Sequence, residues 1–321
     1  MSLMERHHSN VDLRQRIKVP PVVWMLLFFL VVFTLLFPDR FLTPLSLSAM
    51  LGEFVTIILF ALGPTIVAVV GSMDMTFLGI WMLGGILWWY LSPILGPAAV
   101  LVLPLLGLFT GWLVGTLLVR ARAPSFILTL CLTALYAGLT ARLAGGYPRL
   151  IRGFDFLTAR VMPVVPTELL WSLPLILLAI GLMRWTPLGV RLRAVGSNQE
   201  GARLAGVNAD RYRVIAFTLS GLLSGLGAII QVKHLGGSVP LGLDMQMLVA
   251  PLVAIVLGGT LFTGGAGGPE RTLLGTLAYV VLYRGLYTSF LRPETLEVLV
   301  GLVLVGAVIF ASRGLKGVKV T

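Results

Sequence analysis

The chain has 321 residues, 57% of them hydrophobic and only 12% charged, with a formal net charge of +11. Soluble domains carry about 25% charged residues, and a mean hydropathy of +0.97 excludes an ordinary water-soluble fold. The apolar runs are long and continuous rather than alternating, which excludes a transmembrane barrel. An all-α polytopic helical bundle remains, because backbone polar groups in lipid must be satisfied within each helix.

In chain order, residues 1–18 form a polar tail. Arg14, Arg16 and Lys18 precede an apolar run that reaches Phe37. Signal peptides share this pattern, but no small-residue cleavage site follows, so the run reads as an uncleaved first span. A helix needs about 20 apolar residues to cross a bilayer. On that basis about ten spans are predicted, at 19–37, 49–71, 75–91, 97–119, 124–143, 168–184, 212–232, 244–263, 270–290 and 295–312. Gly63, Pro64, Gly71, Gly84 and Gly85 interrupt the early spans, and Ser72–Asp74 marks a broken or re-entrant helix. Residues 19–312 thus read as one transmembrane domain with a polar loop at about 185–211, followed by a tail at 313–321.

The basic residues occupy short gaps between apolar runs. Topology control and contact with anionic membrane lipid account for them, and nucleic acid does not. With both termini in the cytoplasm, most Lys and Arg fall inside, including Arg120, Arg122, Arg184, Arg191, Arg193, Arg203, Arg211 and Arg213. The outside loop after the fifth span, with Arg142, Arg149, Arg152 and Arg160, runs against this trend, which longer loops obey less strictly.

Cys131 is the single cysteine, so no internal disulfide or thiol-based metal site forms, and it reads as a packing residue. His7, His8 and His234 have no fixed spacing, and no metal centre is expected. The run Gly258-Gly259-Thr260 to Gly268 is followed by Pro269 and Glu270. A phosphate loop would need Lys then Ser or Thr. The glycines permit close helix packing or form an irregular turn. No catalytic residue and no nucleotide site emerge, so any ATP would be used by another chain. Trp81, Trp88, Trp89 and Tyr90 fit an interfacial aromatic belt better than a sugar-stacking surface. Ionisable groups at membrane depth mark functional sites by default. Asp74, after the break, reads either as a helix cap or as part of a pathway. Glu53 reads as solvated near a span end, with Arg284 the one basic candidate to partner either acid.

The loop at 185–211 is the longest and most basic of the inside segments. Ser197 and Glu200 have the spacing of a capping box, and Gly206 is placed to end a short helix in a left-handed turn. Leu204 and Val207 would give that helix an apolar side, and Glu200 and Arg203 a polar one. Such a helix suits docking into a groove on a soluble partner, although an ordinary loop with topology-setting arginines explains the composition equally well.

Five blocks in order decide between these readings: GSMDMTFLGI (71–80), APSFILTLCLTALYAGLT (123–140), LRAVGSNQEGARLAGV (192–207), FTLSGLLSGLGAII (217–230) and VLGGTLFTGGAGGPERTLLGTL (256–277). Together they resemble the permease subunit of bacterial ATP-binding-cassette (ABC) importers for simple sugars, of the ribose, xylose and galactose type. The first block departs from the family wording at Met73, Met75, Thr76, Phe77 and Leu78, and Gly201 stands where alanine is common.

The resemblance implies a multi-pass protein of the bacterial inner membrane that does no chemistry. It implies that Arg191, Arg193, Asn198, Glu200, Arg203, Leu204, Gly206 and Val207 belong to a coupling segment that receives the stroke of separate ATPase subunits, which use ATP and magnesium. It also implies a second permease copy or paralogue and a periplasmic or lipid-anchored sugar-binding protein. Asp74, Thr76, Ser125, Phe126, Thr129, Gly258, Gly259 and Thr260 stand as candidates to line the pathway, with helix packing as the alternative for each. Branched-chain amino acids or nucleosides are the alternative cargo. An ion-coupled secondary transporter is the rival class and would require paired intramembrane charges and inverted repeats.

Overall fold

The computed structural model describes residues 20–153, 164–236, 239, 241–289 and isolated positions between 295 and 306. Both expected tails and most of the tenth expected span lie outside the described residues. All regular elements among them are helical: Pro21–Leu36 (α1), Pro44–Val69 (α2), Thr76–Leu95 (α3), Val102–Ala121 (α4), Ser125–Ala144 (α5), Thr167–Trp185 (α6), Pro187–Ser197 (α7), Gln199–Leu204 (α8), Ala209–His234 (α9), Met245–Leu257 (α10) and Pro269–Tyr287 (α11). A 3-10 turn, Gly96–Leu101, joins α3 to α4. Among these residues five helical stretches are long and apolar enough to cross a membrane, counting α3 through α4 as one.

Helix directions follow from the pairs that meet. Asp74 bonds Ser220 and Gly85 abuts Val232, so α3 and α9 run parallel. Gly107 meets Gly221 and Gly115 meets Val214, so α4 runs antiparallel to α9. Thr65 bonds Thr272 and Glu53 pairs with Arg284, so α2 and α11 are antiparallel. Segments 70–75, 122–124, 186–208 and 258–268 consequently gather at one end of the bundle, and the turns after α1, α3, α5 and α9 at the other.

The tightest seam is α4 on α9. Gly107, Gly111 and Gly115 fall at every fourth position of α4, and Gly221 and Gly225 do so on α9. A Cβ on Gly107 would overlap the Gly221 carbonyl, and one on Gly221 would overlap the Gly107 carbonyl. In lipid, where apolar burial alone gives little drive, such backbone approach is what holds helices together.

Several expectations change. Trp81 and Trp88 are 1% exposed and pack in the core, so only Trp89 and Tyr90 remain near the rim. Arg149 lies over the Trp89 ring at 4.7 Å, and the Tyr90 hydroxyl donates to the Leu143 carbonyl. Cys131 is exposed on the outer side of α5 rather than packed inside. The eighth span is shorter than expected, because α10 ends at Leu257 and the chain turns at Gly259 with φ +83°. Thirteen residues rise about 20 Å, short of a ~30 Å hydrocarbon core.

Candidate functional site where the five motif blocks meet

The break between α2 and α3 is a stretch of irregular backbone whose polar groups are met by side chains from elsewhere. Ser125 Oγ accepts from the Met73 amide at 3.0 Å, and Thr133 Oγ1 donates to the Met75 carbonyl at 2.8 Å. Asp74 is fully buried. Its Oδ1 accepts from the Thr76 amide (2.8 Å) and hydroxyl (2.7 Å), and its Oδ2 accepts from Ser220 Oγ at 2.6 Å. Asp74 therefore caps the start of α3 and ties it to the middle of α9. A Cβ on Gly63 would crowd the Ser220 carbonyl and hydroxyl, so α2 closes on the same point.

The glycine-rich segment 258–268 is mostly an irregular turn, with positive φ at Gly259, Gly264, Gly265, Gly267 and Gly268. Gly258 packs closely on α11, where a Cβ would overlap the Arg271 carbonyl, and Gly264 and Gly265 lie comparably close to Gly196 and Ser197. Thr260 is buried, and its hydroxyl accepts from the Gly268 amide at 3.1 Å, closing the turn. The turn lies against the break: the Gly265 amide donates to the Val69 carbonyl at 2.8 Å. Gly196, near the end of α7, touches both, since a Cβ there would overlap the Val69 carbonyl and crowd the Gly265 amide.

From this knot the chain projects α8. The corner between α7 and α8 is Asn198, whose Oδ1 accepts from the Gly201 amide at 2.9 Å. The cap is thus Asn198 rather than Ser197, one residue later than the capping-box spacing suggests, because α7 runs through Ser197. Glu200 stands exposed in the first turn. Gly206 ends the helix at φ +81°, with the Val207 amide returning to the Ala202 carbonyl. Val207 packs on Val195, Ala202 and Ala209. Leu204 does not share that side and is 86% exposed. The arginines fasten the corner: Arg191 donates to the Tyr212 hydroxyl (2.8 Å), Arg193 to the Met183 carbonyl, and Arg203 pairs with Asp210 at 2.9 Å.

Between α8 and the break lies a cavity of about 640 Å³, lined among others by Ser72, Arg122, Ser125, Phe126, Arg203 and Phe262. Of the pathway candidates, Ser125 and Phe126 line it. Asp74, Thr76 and Thr129 lie buried behind it. Gly258, Gly259 and Thr260 form the start of the neighbouring turn and do not line it.

A second polar cluster pairs Glu53 with Arg284, the one basic candidate expected for it, and adds residues not singled out in the chain. Glu53 lies well inside α2 and its Oε1 pairs with Arg284 Nε at 3.5 Å, so it is not a solvated span end. With Gln231, Asp244 and Gln246 it lines a cavity at the end of the bundle opposite α8. The available signal was a Glu and a Gln inside apolar spans.

The arrangement is a helical membrane bundle with a small helix displayed at one end and no metal-binding group of three among the described residues. The fold matches a metal-chelate-type ABC transporter solved in an inward-facing conformation, at TM-score 0.51 and 18% identity, covering 91% of this chain and 99% of that one. The chain thus shares the fold of that transporter's chain.

Residues 46–308 match the family described as branched-chain amino acid transport system, permease component, and the chain belongs to it. It is a membrane permease component, not an enzyme. It is 28% identical to the ribose import permease of Bacillus subtilis over 81% of this chain and 82% of that one. It is 34% identical to the ribose import permease of Escherichia coli K12 (56% of this chain, 58% of that one) and 30% identical to the xylose/arabinose import permease of Sulfolobus acidocaldarius (54% and 49%).

Proposed function

We propose that this permease forms the pathway for a monosaccharide delivered by a periplasmic or lipid-anchored binding protein, and that ATPase subunits drive it through α8. The relatives named for ribose and for xylose/arabinose favour a sugar over the branched-chain amino acids of the family description. In this reading about ten spans run with both termini in the cytoplasm, a second permease copy or paralogue completes the pathway, and ATP–magnesium is held by the ATPase alone.

The observation that carries the reading is α8 itself. A six-residue helix is too short to be stable alone, yet this one is capped at both ends, pinned by Val207 and Ala202, and presents Leu204 outward. Its supporting corner abuts the break and the glycine-rich turn, so a push on α8 bears on α2, α3 and α9 together. The Arg203–Asp210 pair is exposed on both sides and worth little to stability.

Leu204→Glu and Arg203→Glu are therefore expected to fold and insert normally. Recovery of co-expressed candidate ATPases in detergent should fall at least about tenfold, the loss of one well-packed apolar contact. Equal recovery with the wild type would remove α8 as the docking element.

Among the described residues the Glu53–Arg284 pair favours the ion-coupled rival, because such carriers need paired charges at membrane depth. The two charges offset each other within the chain and lie far from the knot, which suits a fixed strut between α2 and α11.

A further inference from the structure

The cavity opposite α8 has a volume of about 230 Å³, below the ~300–1,000 Å³ of clefts for drug-sized ligands. It is built by the first half of α2, the last turns of α9, the start of α10 and the second half of α11. Gln231 lines it, is 0% exposed, and has neither amide nitrogen nor amide oxygen hydrogen-bonded. A buried primary amide with neither its nitrogen nor its oxygen hydrogen-bonded is costly to the fold. A ligand carrying both donors and acceptors would meet them.

The charges around it indicate that this ligand is neutral. Glu53 is balanced by Arg284, leaving Oε2 without a partner. Asp244 Oδ1 caps α10 through the Gln246 and Met247 amides, and the positive end of that helix offsets its charge. His234 pairs with Glu168 at 3.2 Å. Free acceptors therefore remain without a free net charge. The walls add the apolar half of the recognition: Phe60, Tyr279 and Tyr283 also line the cavity, the two tyrosine rings lying parallel at 6.1 Å and 6°.

We infer that this cavity is a binding subsite, within a single permease chain, for a neutral polyhydroxylated molecule of monosaccharide size, with Gln231 reading its hydroxyls. The inference rests on the proposed sugar-permease function and adds a place to it, on the side away from the ATPase.

The test uses the full-length permease in lipid nanodiscs, with tritiated D-ribose and D-xylose as neutral probes and D-ribose 5-phosphate as the charged one. The wild type should bind one of the neutral sugars and gain thermal stability from it. Gln231→Leu removes an unsatisfied buried amide at similar size, so its melting temperature without sugar should match or exceed the wild type. Its sugar affinity should fall about tenfold or more, the equivalent of one or two hydrogen bonds. Thr56→Val, on the same cavity wall, should lower affinity by a smaller factor. Undiminished affinity in both variants, preference for the phosphorylated sugar, or no binding of either neutral sugar would overturn the inference. ATPase recovery from the same preparation separates the two readings: recovery without sugar binding sinks the subsite alone, whereas failure of recovery sinks the proposed function.

Discussion

Gly221→Val should abolish the folded permease. The Gly221 Cα faces the Gly107 carbonyl across the α4–α9 seam, and even a methyl group would overlap backbone rather than a side chain that can move. Overfilling a packed interior costs about 1–3 kcal/mol when side chains can adjust. Here two helices must separate along a line that also includes Gly111 on Phe217, Gly115 on Val214 and Gly225 on Leu103, so the loss should reach or exceed the top of that range. Gly111→Val should behave alike. Gly138→Ala, on α5 with open space around it, is the control and should be neutral or slightly stabilising, since alanine exceeds glycine in helix propensity by about 1 kcal/mol. The check is the monodisperse fraction on gel filtration in detergent together with the melting temperature. A well-folded Gly221→Val protein would mean that α4 and α9 do not meet as described.

The second large effect falls on Asp74. Asp74→Ala leaves the Thr76 amide and hydroxyl and the Ser220 hydroxyl without their acceptor in a fully buried place. Hydrogen bonds to a charged acceptor contribute about 1.5–3 kcal/mol each and are not additive. A total loss of about 3 kcal/mol is expected, with impaired uptake following from misplacement of α3. Asp74→Asn keeps an oxygen for Thr76, and the Ser220 hydroxyl can rotate to accept from the new amide. That variant should cost no more than about 1 kcal/mol and retain uptake per folded molecule. If instead Asp74→Asn folds but transports nothing, the carboxylate charge itself acts in the pathway and the anchoring role is insufficient.

Helix positions were legible where apolar runs end at strong local signals. The expected spans 124–143, 168–184 and 212–232 differ by a few residues from Ser125–Ala144, Thr167–Trp185 and Ala209–His234. Hydropathy misplaced the end of the eighth span, because Leu261 and Phe262 continue the apolar character after the positive-φ Gly259 has already turned the backbone. The same effect hid Trp81 and Trp88: an aromatic cluster near a predicted span end resembles an interfacial belt, and only contact with α2 and α5 reveals it as core.

At the candidate site, the left-handed turn at Gly206 was readable because it is local. The cap was misplaced by one residue, since both Ser197 and Asn198 are competent caps and the choice depends on how far α7 extends. The role of Ser125 as acceptor for the Met73 amide was not readable, as it joins residues 52 apart. The same holds for the Asp74–Ser220 bond and for the cavity around Gln231, each of which needs helix pairings that periodicity does not contain. The every-fourth-residue glycines of α4 were visible in the chain and their partner was not.

The most direct test of the central claim is energised uptake in proteoliposomes. The permease would be reconstituted with its co-purifying ATPase and supplied with a sugar-loaded binding protein, first with ATP enclosed and no ion gradient, then with a proton or sodium gradient and no ATP. Uptake that requires ATP, persists when the gradients are collapsed, and disappears with Leu204→Glu is the predicted result. Uptake driven by a gradient without ATP would contradict it and move the mechanism to Glu53 and Arg284.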